Sequence, residues 1–91
     1  MNGACERELE IVNTQGLHAR PVMRIVDLAV RFKSRIRISK GDRVADANSA
    51  MEMMLLEAPM GTRLKIVAEG EDAEEAVAAI AQLVADKFHE E

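Results

Sequence analysis

The 91 residues are enough for a modest hydrophobic core, and we expect residues 1–91 to form a single domain. A hydrophobic content of 48% beside 31% charged residues is ordinary for a folded, soluble protein and argues against disorder. The net charge of −4 and the scarcity of aromatic residues, which are only Phe32 and Phe88, disfavour binding to nucleic acid. Cys5 is the single cysteine, which excludes an intrachain disulfide and a CxxC site.

The start of the chain carries no recognisable targeting segment. Residues 2–5, Asn-Gly-Ala-Cys, are weakly similar to a lipoprotein cleavage site, but the basic and apolar regions of a signal peptide are missing. No apolar run in the sequence is long enough to cross a membrane. We therefore expect a cytoplasmic protein that does not act at a membrane.

The first elements are a strand and a helix. Residues 8–12 alternate in a way that is typical of a strand, and residues 13–16, Asn-Thr-Gln-Gly, end it. A helical pattern then runs from residue 19 to about residue 33. Its apolar face holds Val22, Ile25, Val26, Ala29 and Val30, and its opposite face holds Arg24, Asp27 and Arg31.

A hairpin and a short helix are predicted next. Residues 35–39 alternate again, residues 40–42 form a turn, and residues 43–46 return as the hairpin partner. A short helix is predicted from Ser49 to about Leu56.

The last elements are a strand and an amphipathic helix. Residues 63–68 predict the fourth strand, which Gly70 breaks. Asp72 is expected to cap the final helix, with Glu75 three residues later as the capping-box partner. The predicted apolar stripe of this helix is Ala73, Ala76, Val77, Ile80, Ala81, Val84 and Phe88.

The element order βαββαβα predicts an α+β fold, in which one face of a four-stranded antiparallel sheet is covered by three helices. Alternating strands need one covered face, and three amphipathic helices can provide it. The other sheet face is expected to be solvated, because the following charged residues alternate onto it: Glu8, Glu10, Arg35, Arg37, Arg63 and Lys65.

The heptapeptide QGLHARP, residues 15–21, places unusual residues at the start of the first helix. Pro21 suits the first turn, where a missing N–H costs nothing. Free amides and the positive end of the helix dipole suit an anion. Arg20 opposes that dipole unless an anion lies between them, and guanidinium matches the geometry of phosphate oxygens.

His18 is expected at or beside the N-cap, where Ser, Asp or Asn would cap better. Beside an anion site, a histidine can donate a proton, bind phosphate, or act as a nucleophile that becomes phosphorylated. From the residues alone, an exposed histidine without a function is the default interpretation, because a lone histidine is weak evidence of a site.

The motif GLHARP after the first strand resembles the active centre of the histidine-containing phosphocarrier (HPr) family of the phosphoenolpyruvate-dependent phosphotransferase system. The resemblance extends over nearly the whole chain, including ANSAMEMMLL and GTRLKIVAEGEDAEEAV. It implies that His18 is the phosphorylated residue and that Arg20 binds the phosphate. Pro21 matches the proline of the family, and Gln15 falls where relatives often have Asn or Ser.

The resemblance also implies the chemistry and the partners. Enzyme I would pass phosphate to His18, at Nδ1 in the family, and a IIA-type acceptor would receive it. The amides of Ala19 and Arg20, with the Arg20 side chain and Gln15, would hold the phosphate oxygens. The site would contain no metal or cofactor, and the protein would be a monomeric carrier rather than an enzyme. A sugar-uptake branch and a nitrogen-type regulatory branch both remain open.

The short helix is rich in methionine. A short helix cannot bury Met51, Met53 and Met54 on one face, so Met53, with Met54, is expected to stay partly exposed near His18. Methionine suits a surface that fits several partners, although filling of the core is the alternative. In the family this helix and the first helix form the docking surface. Arg20, Arg24 and Arg31 would flank it with positive charge.

Ser49 has two interpretations. In some relatives the matching serine is phosphorylated by a dedicated kinase/phosphorylase, which stops transfer at the histidine. Here residues 49–52, Ser-Ala-Met-Glu, also spell a capping box, in which the Ser49 hydroxyl accepts from the Glu52 amide and the Glu52 carboxylate accepts from the Ser49 amide. The kinase targets carry glycine where this chain has Glu52, which favours a structural cap. His89 is expected in the last turn of the last helix, exposed to solvent.

Three rival functions remain to be separated from phosphotransfer. A regulatory protein of the same fold would lack the histidine that this chain has. An anion- or nucleotide-binding module would use the same helix end without forming phosphohistidine. An RNA-binding α+β domain is least favoured, because the strands carry no aromatic residues.

Overall fold

One antiparallel sheet contains all four strands of the chain between residues 3 and 89, the part that the computed structural model describes. The strands are β1 (Gly3–Glu10), β2 (Arg35–Lys40), β3 (Arg43–Asp46) and β4 (Arg63–Gly70). Their order across the sheet is β1-β4-β2-β3, so the last strand lies between the first and the second. Every neighbouring pair is antiparallel, as predicted.

Three helices complete the predicted order. They are α1 (Ala19–Ala29), α2 (Ala50–Met54) and α3 (Ala73–Ala85). A left-handed turn over Lys87–His89 follows α3 and places Phe88 in the core. The open-faced two-layer sandwich is confirmed. Within residues 3–89, no helix has the length and apolar character needed to span a membrane.

The core lies between the covered sheet face and the helices. Alternate apolar residues of the strands and apolar residues three and four apart in the helices face each other there. The strands contribute alternate residues: Leu9, Ile36, Ile38, Ala45, Leu64, Ile66 and Ala68. The helices contribute residues three and four apart: Val22, Ile25, Ala29, Met53, Ala73, Ala76, Val77, Ile80, Leu83 and Val84. Leu83 was not predicted, and Ala81 is only half-buried.

The uncovered sheet face is charged, as predicted. Arg63 Nη1 lies 3.6 Å from Glu8 Oε1, and Lys65 Nζ lies 3.6 Å from Glu6 Oε2. Arg37 also pairs with Glu69. These side chains are exposed, so each pair adds little to the free energy of folding.

Two strands are longer than their sequence patterns predict. β1 starts at Gly3 instead of residue 8, because it pairs residue by residue with β4 as far as Gly70. For the same reason β4 continues past residue 68 and ends at Gly70 itself. Ile11 lies beyond β1, but it still exchanges backbone hydrogen bonds with Gly61 and Thr62.

α1 ends at Ala29 and not near residue 33, and Asp72 binds the segment that follows it. Its carboxylate accepts hydrogen bonds from the amides of Lys33 and Ser34, at 2.8 and 2.9 Å, and from the Ser34 hydroxyl. Asp72 is the N-cap residue of α3, but its side chain makes no capping hydrogen bond there. The predicted capping box with Glu75 is therefore wrong, because the Asp72 carboxylate accepts from the amides of Lys33 and Ser34 instead.

These hydrogen bonds make the link between α1 and α3 sensitive to acid. The Ser34 hydroxyl above all, and then the backbone amides, lower the pKa of the Asp72 carboxyl below its ordinary value of 3.8. Since the folded-state pKa is the lower one, the carboxylate adds stability above the ordinary value. That contribution is lost as the pH falls through the lowered pKa.

Ser34→Ala removes the hydroxyl donor and should lower the midpoint of thermal unfolding. We expect a loss of several degrees near neutral pH and a smaller loss in strong acid, where the wild-type carboxyl is also protonated. Melting curves of both proteins across the acid range measure this, with Ser39→Ala on the uncovered sheet face as the matched control. A difference between wild type and Ser34→Ala that stays constant down to the most acidic samples would contradict the role of the Asp72 charge.

Candidate functional site

His18 lies at the N-cap of α1, as the sequence predicts. Its backbone is extended, with φ −93° and ψ −170°, and its carbonyl accepts the first helical hydrogen bond from the Val22 amide at 3.0 Å. The side chain makes no capping hydrogen bond and is half-buried. The imidazole is therefore not used to cap the helix it begins.

Three consecutive backbone amides fix the loop that leads to His18. Gly16 N–H donates to the Asn13 carbonyl at 3.1 Å, and Leu17 N–H donates to the Ala58 carbonyl at 2.8 Å. His18 N–H donates to the Gly16 carbonyl at 3.0 Å. Leu17 is also buried in the core, so the loop is held by its side chain as well as by its backbone.

The first turn of α1 leaves two amides without an intrahelical acceptor. These are the amides of Ala19 and Arg20, since Pro21 has no N–H and the Val22 amide already donates to His18. The turn contains no acidic residue. The positive end of the helix dipole is thus not neutralised by a neighbouring carboxylate, and it favours an anion.

The predicted site residues lie at this end of the helix, where solvent reaches them. Gln15, Ala19 and Arg20 are exposed, and His18 beside them is half-buried. The Arg20 guanidinium and the amides of Ala19 and Arg20 are donors of the kind that binds an oxyanion such as phosphate.

Comparison with known proteins identifies the family. The family model described as the PTS HPr component phosphorylation site matches residues 5–86. The phosphocarrier protein HPr of Cupriavidus necator is 36% identical, over 93% of this chain and 96% of the relative. The phosphocarrier protein NPr of Shewanella violacea is 39% identical, over 93% of each chain. The solved HPr-C-His of Thermoanaerobacter tengcongensis is 41% identical and superposes with a TM-score of 0.91, covering 96% of this chain and 98% of that one.

The chain belongs to the HPr family of phosphocarrier proteins of the phosphotransferase system. Because the family model covers both the first strand and the last helix, the family assignment concerns the fold as well as the histidine motif. The resemblance expected from GLHARP is confirmed.

The methionines of this HPr-family protein are arranged differently from the prediction. Met53 is fully buried, so the expectation that it stays partly exposed is wrong. α2 has only five residues and packs against α1 and β3, and Met53 is its one fully buried residue, within the hydrophobic core. Met51 and Met54 are exposed, at 72% and 42%, and Met60 and Leu55 are exposed as well.

Ser49 forms half of the predicted capping box. Its hydroxyl accepts from the Glu52 amide at 3.2 Å, as expected. The Glu52 carboxylate, however, accepts from the Asp46 amide at 2.9 Å, and the Ser49 amide donates to the Asp46 carbonyl. The predicted reciprocal hydrogen bond from the Ser49 amide to the Glu52 carboxylate is therefore wrong. Both of these groups bond instead to the backbone of Asp46, at the end of β3.

His89 and Asn13 also differ from their sequence predictions. His89 is exposed as expected, but it belongs to the left-handed turn after α3 and not to the last turn of that helix. Asn13 was treated only as a turn residue, yet it is 1% exposed and its Nδ2 donates to the Gly16 carbonyl at 2.7 Å. Asparagine is common in turns because its side chain bonds nearby backbone, but its burial has no signal in the sequence.

Gly16→Ala should destabilise the fold, because Gly16 has φ +72° and an added Cβ would lie 2.6 Å from the Ala58 carbonyl oxygen. We expect a loss of about 1–3 kcal/mol from backbone strain alone, and more from the clash. Urea unfolding measures it. Gly41→Ala is the control, since Gly41 also has a positive φ, +58°, but open space around its Cβ. Equal losses in the two variants would show that the contact with Ala58 is unimportant.

Proposed function

We propose that this protein accepts a phosphoryl group from phosphorylated enzyme I onto His18 and passes it to a IIA-type acceptor of a sugar-uptake or regulatory branch. Membership of the HPr family supports the carrier role. The observation that carries the assignment to His18 is its place at the N-cap of α1, beside two amides without intrahelical acceptors and beside Arg20.

The chemistry is an exchange of nitrogen–phosphorus bonds. The neutral imidazole of His18 attacks phosphorus as the bond to the histidine of the donor breaks. A second exchange of the same kind breaks the bond between His18 and phosphorus and transfers the phosphoryl group to the acceptor. Phosphoryl transfer depends on positioning and on charge stabilisation more than on covalent help from the protein. The amides of Ala19 and Arg20 and the Arg20 guanidinium supply donors to the phosphate oxygens.

The strength of these interactions suits a carrier, which has to release the group as readily as it accepts it. Ala19 and Arg20 are exposed, so the helix dipole contributes about 0.3–1 kcal/mol, screened by solvent. A buried cage of charges would bind phosphate more tightly and retain it.

The docking surface that we propose lies on α1 and α2, which pack against each other. It consists of exposed Arg24, Met51 and Met54, extended by Met23 on α1, which was not predicted. Met53 is excluded from it by burial. Flexible thioethers beside positive charge fit acidic partners of different shapes.

Replacement of His18 by alanine should abolish acceptance of phosphate from enzyme I and leave the fold intact, because His18 is only half-buried. Arg20→Ala should slow transfer about tenfold or more, through the loss of one charge-assisted contact. Both rates are measured with phosphoenolpyruvate and purified enzyme I, by following acid-labile phosphate.

Arg35→Ala, which removes an exposed arginine on the uncovered sheet face, is the control for loss of positive charge. Phosphohistidine in the His18→Ala variant would disprove the assignment, and an unchanged rate in Arg20→Ala would disprove the role of that guanidinium.

Charge introduced on the docking surface should weaken binding to enzyme I. Met54→Glu loses apolar contact and Arg24→Glu reverses a charge, so each should raise the Kd about tenfold. NMR titration gives the affinity and maps the contact. The matched controls are Val30→Glu, at an exposed apolar site after α1, and Arg35→Glu, on the uncovered sheet face. Chemical-shift changes confined to the sheet face would show that the surface is elsewhere.

For Ser49 we propose a structural cap and not a phosphorylation site. Its hydroxyl already accepts from the Glu52 amide, and a Ser-type cap is worth about 1 kcal/mol. A phosphate there would carry about two negative charges close to the Glu52 carboxylate.

Incubation with ATP and a kinase that phosphorylates the matching serine of relatives should leave the intact mass unchanged. A natural substrate of that kinase, treated in parallel, confirms that the enzyme is active. A gain of one phosphate that disappears in Ser49→Ala would overturn the assignment.

A further inference from the structure

A buried amide lies beneath the loop that carries His18. Asn13 is 1% exposed, and it precedes that loop directly after the first strand. Its Nδ2 donates to the Gly16 carbonyl at 2.7 Å, while its own carbonyl accepts from the Gly16 amide at 3.1 Å. Asn13 therefore holds the Gly16 residue from both sides.

The Gly16 carbonyl links Asn13 to His18 through hydrogen bonds. It accepts two hydrogen bonds, one from Asn13 Nδ2 and one from the His18 amide at 3.0 Å. A peptide plane held by two donors cannot rotate without breaking one of them. The orientation of the Gly16 peptide thus sets where the His18 backbone begins α1, and with it the position of the following free amides.

Stability alone does not account for an asparagine at this position. Among residues 3–89, no donor reaches Asn13 Oδ1, although the atom is buried. The opposite orientation of the amide would be worse, because it would place Oδ1 against the Gly16 carbonyl oxygen. A buried acceptor without a partner lowers stability, and an apolar side chain of similar size would avoid that cost.

We propose that Asn13 is a positioning residue for phosphoryl transfer: it holds the Gly16 peptide so that His18 and the amides of Ala19 and Arg20 keep the geometry that the reaction needs. The inference rests on the proposed function of His18. Asn13 is buried and acts through Gly16, without touching the phosphoryl group or a partner protein.

Asn13→Leu separates positioning from stability, because leucine has a similar size and no unpaired oxygen. We expect its thermal midpoint to stay close to that of the wild type, while kcat for phosphorylation by enzyme I falls about ten- to a hundredfold. KM for the protein should be unchanged, since the docking surface on α1 and α2 is intact. The NMR signal of the His18 amide should also shift, because its acceptor is no longer held by Asn13.

Asn13→Ala is the second variant, in case leucine is not accommodated. Ser34→Ala is the control for lost stability, because it weakens the fold at the far end of α1 and should keep the wild-type kcat. A lower kcat with unchanged KM in either Asn13 variant, beyond any change in Ser34→Ala, supports the proposal.

Three results would overturn the proposal. These are a wild-type kcat in both Asn13 variants, a kcat that falls only as it does in Ser34→Ala, or failure of both Asn13 variants to fold, which would assign Asn13 to the fold. A wild-type protein that enzyme I does not phosphorylate on His18 is a separate outcome. It would overturn the proposed function itself, and the role of Asn13 with it.

Discussion

The close approach of Gly16 to the backbone of Ala58 and Pro59 is the contact on which the geometry of the site depends. Only a residue without Cβ fits there, because an added Cβ would lie 2.6 Å from the Ala58 carbonyl oxygen. The adjacent Leu17 amide donates to that same carbonyl. The loop before α1 is thereby fixed to the segment that follows α2. This contact joins the two helices of the proposed docking surface to the loop that carries His18.

α1 is held at both of its ends, and only its first-turn amides remain open. Gly16 and Asn13 fix the loop before the helix, and the Asp72 carboxylate takes the amides of Lys33 and Ser34 beyond its other end. In the proposed function, amides that the fold has already positioned need little rearrangement to bind a phosphoryl group, so little of the weak interaction energy is lost to ordering.

The features that could be predicted from the sequence are those that depend on short-range periodicity. Alternation in residues 35–39 and 63–68 identified strands. The 3.6-residue stripe from Val22 to Val30 identified a buried helix face, except that Val30 follows the last residue of α1 and is exposed. The N-cap position of His18 followed from Gly16 before it and Pro21 after it. Family resemblance added the proposed roles of His18 and Arg20, which stay predictions and which periodicity alone does not contain.

The errors arose where distant backbone competed with a local motif. Asp72 and Glu52 each occupy a position that suggests a capping box. In the folded chain, however, the Asp72 carboxylate accepts from the Ser34 amide and the Glu52 carboxylate accepts from the Asp46 amide. Met53 was placed on the surface because a five-residue helix is too short for its pattern to define the inner face. The burial of Asn13 depends on packing that no local pattern encodes.

The most direct test of the account is an NMR comparison of the wild-type protein before and after phosphorylation by enzyme I and phosphoenolpyruvate. The ³¹P spectrum with ¹⁵N labelling identifies the modified atom, and the amide spectrum shows which backbone groups respond. We predict a single phosphorus bonded to an imidazole nitrogen of His18, with the largest amide shifts at Ala19 and Arg20. Phosphate at Ser49 or His89, or phosphohistidine at His18 with unshifted Ala19 and Arg20 amides, would contradict a site built on the start of α1.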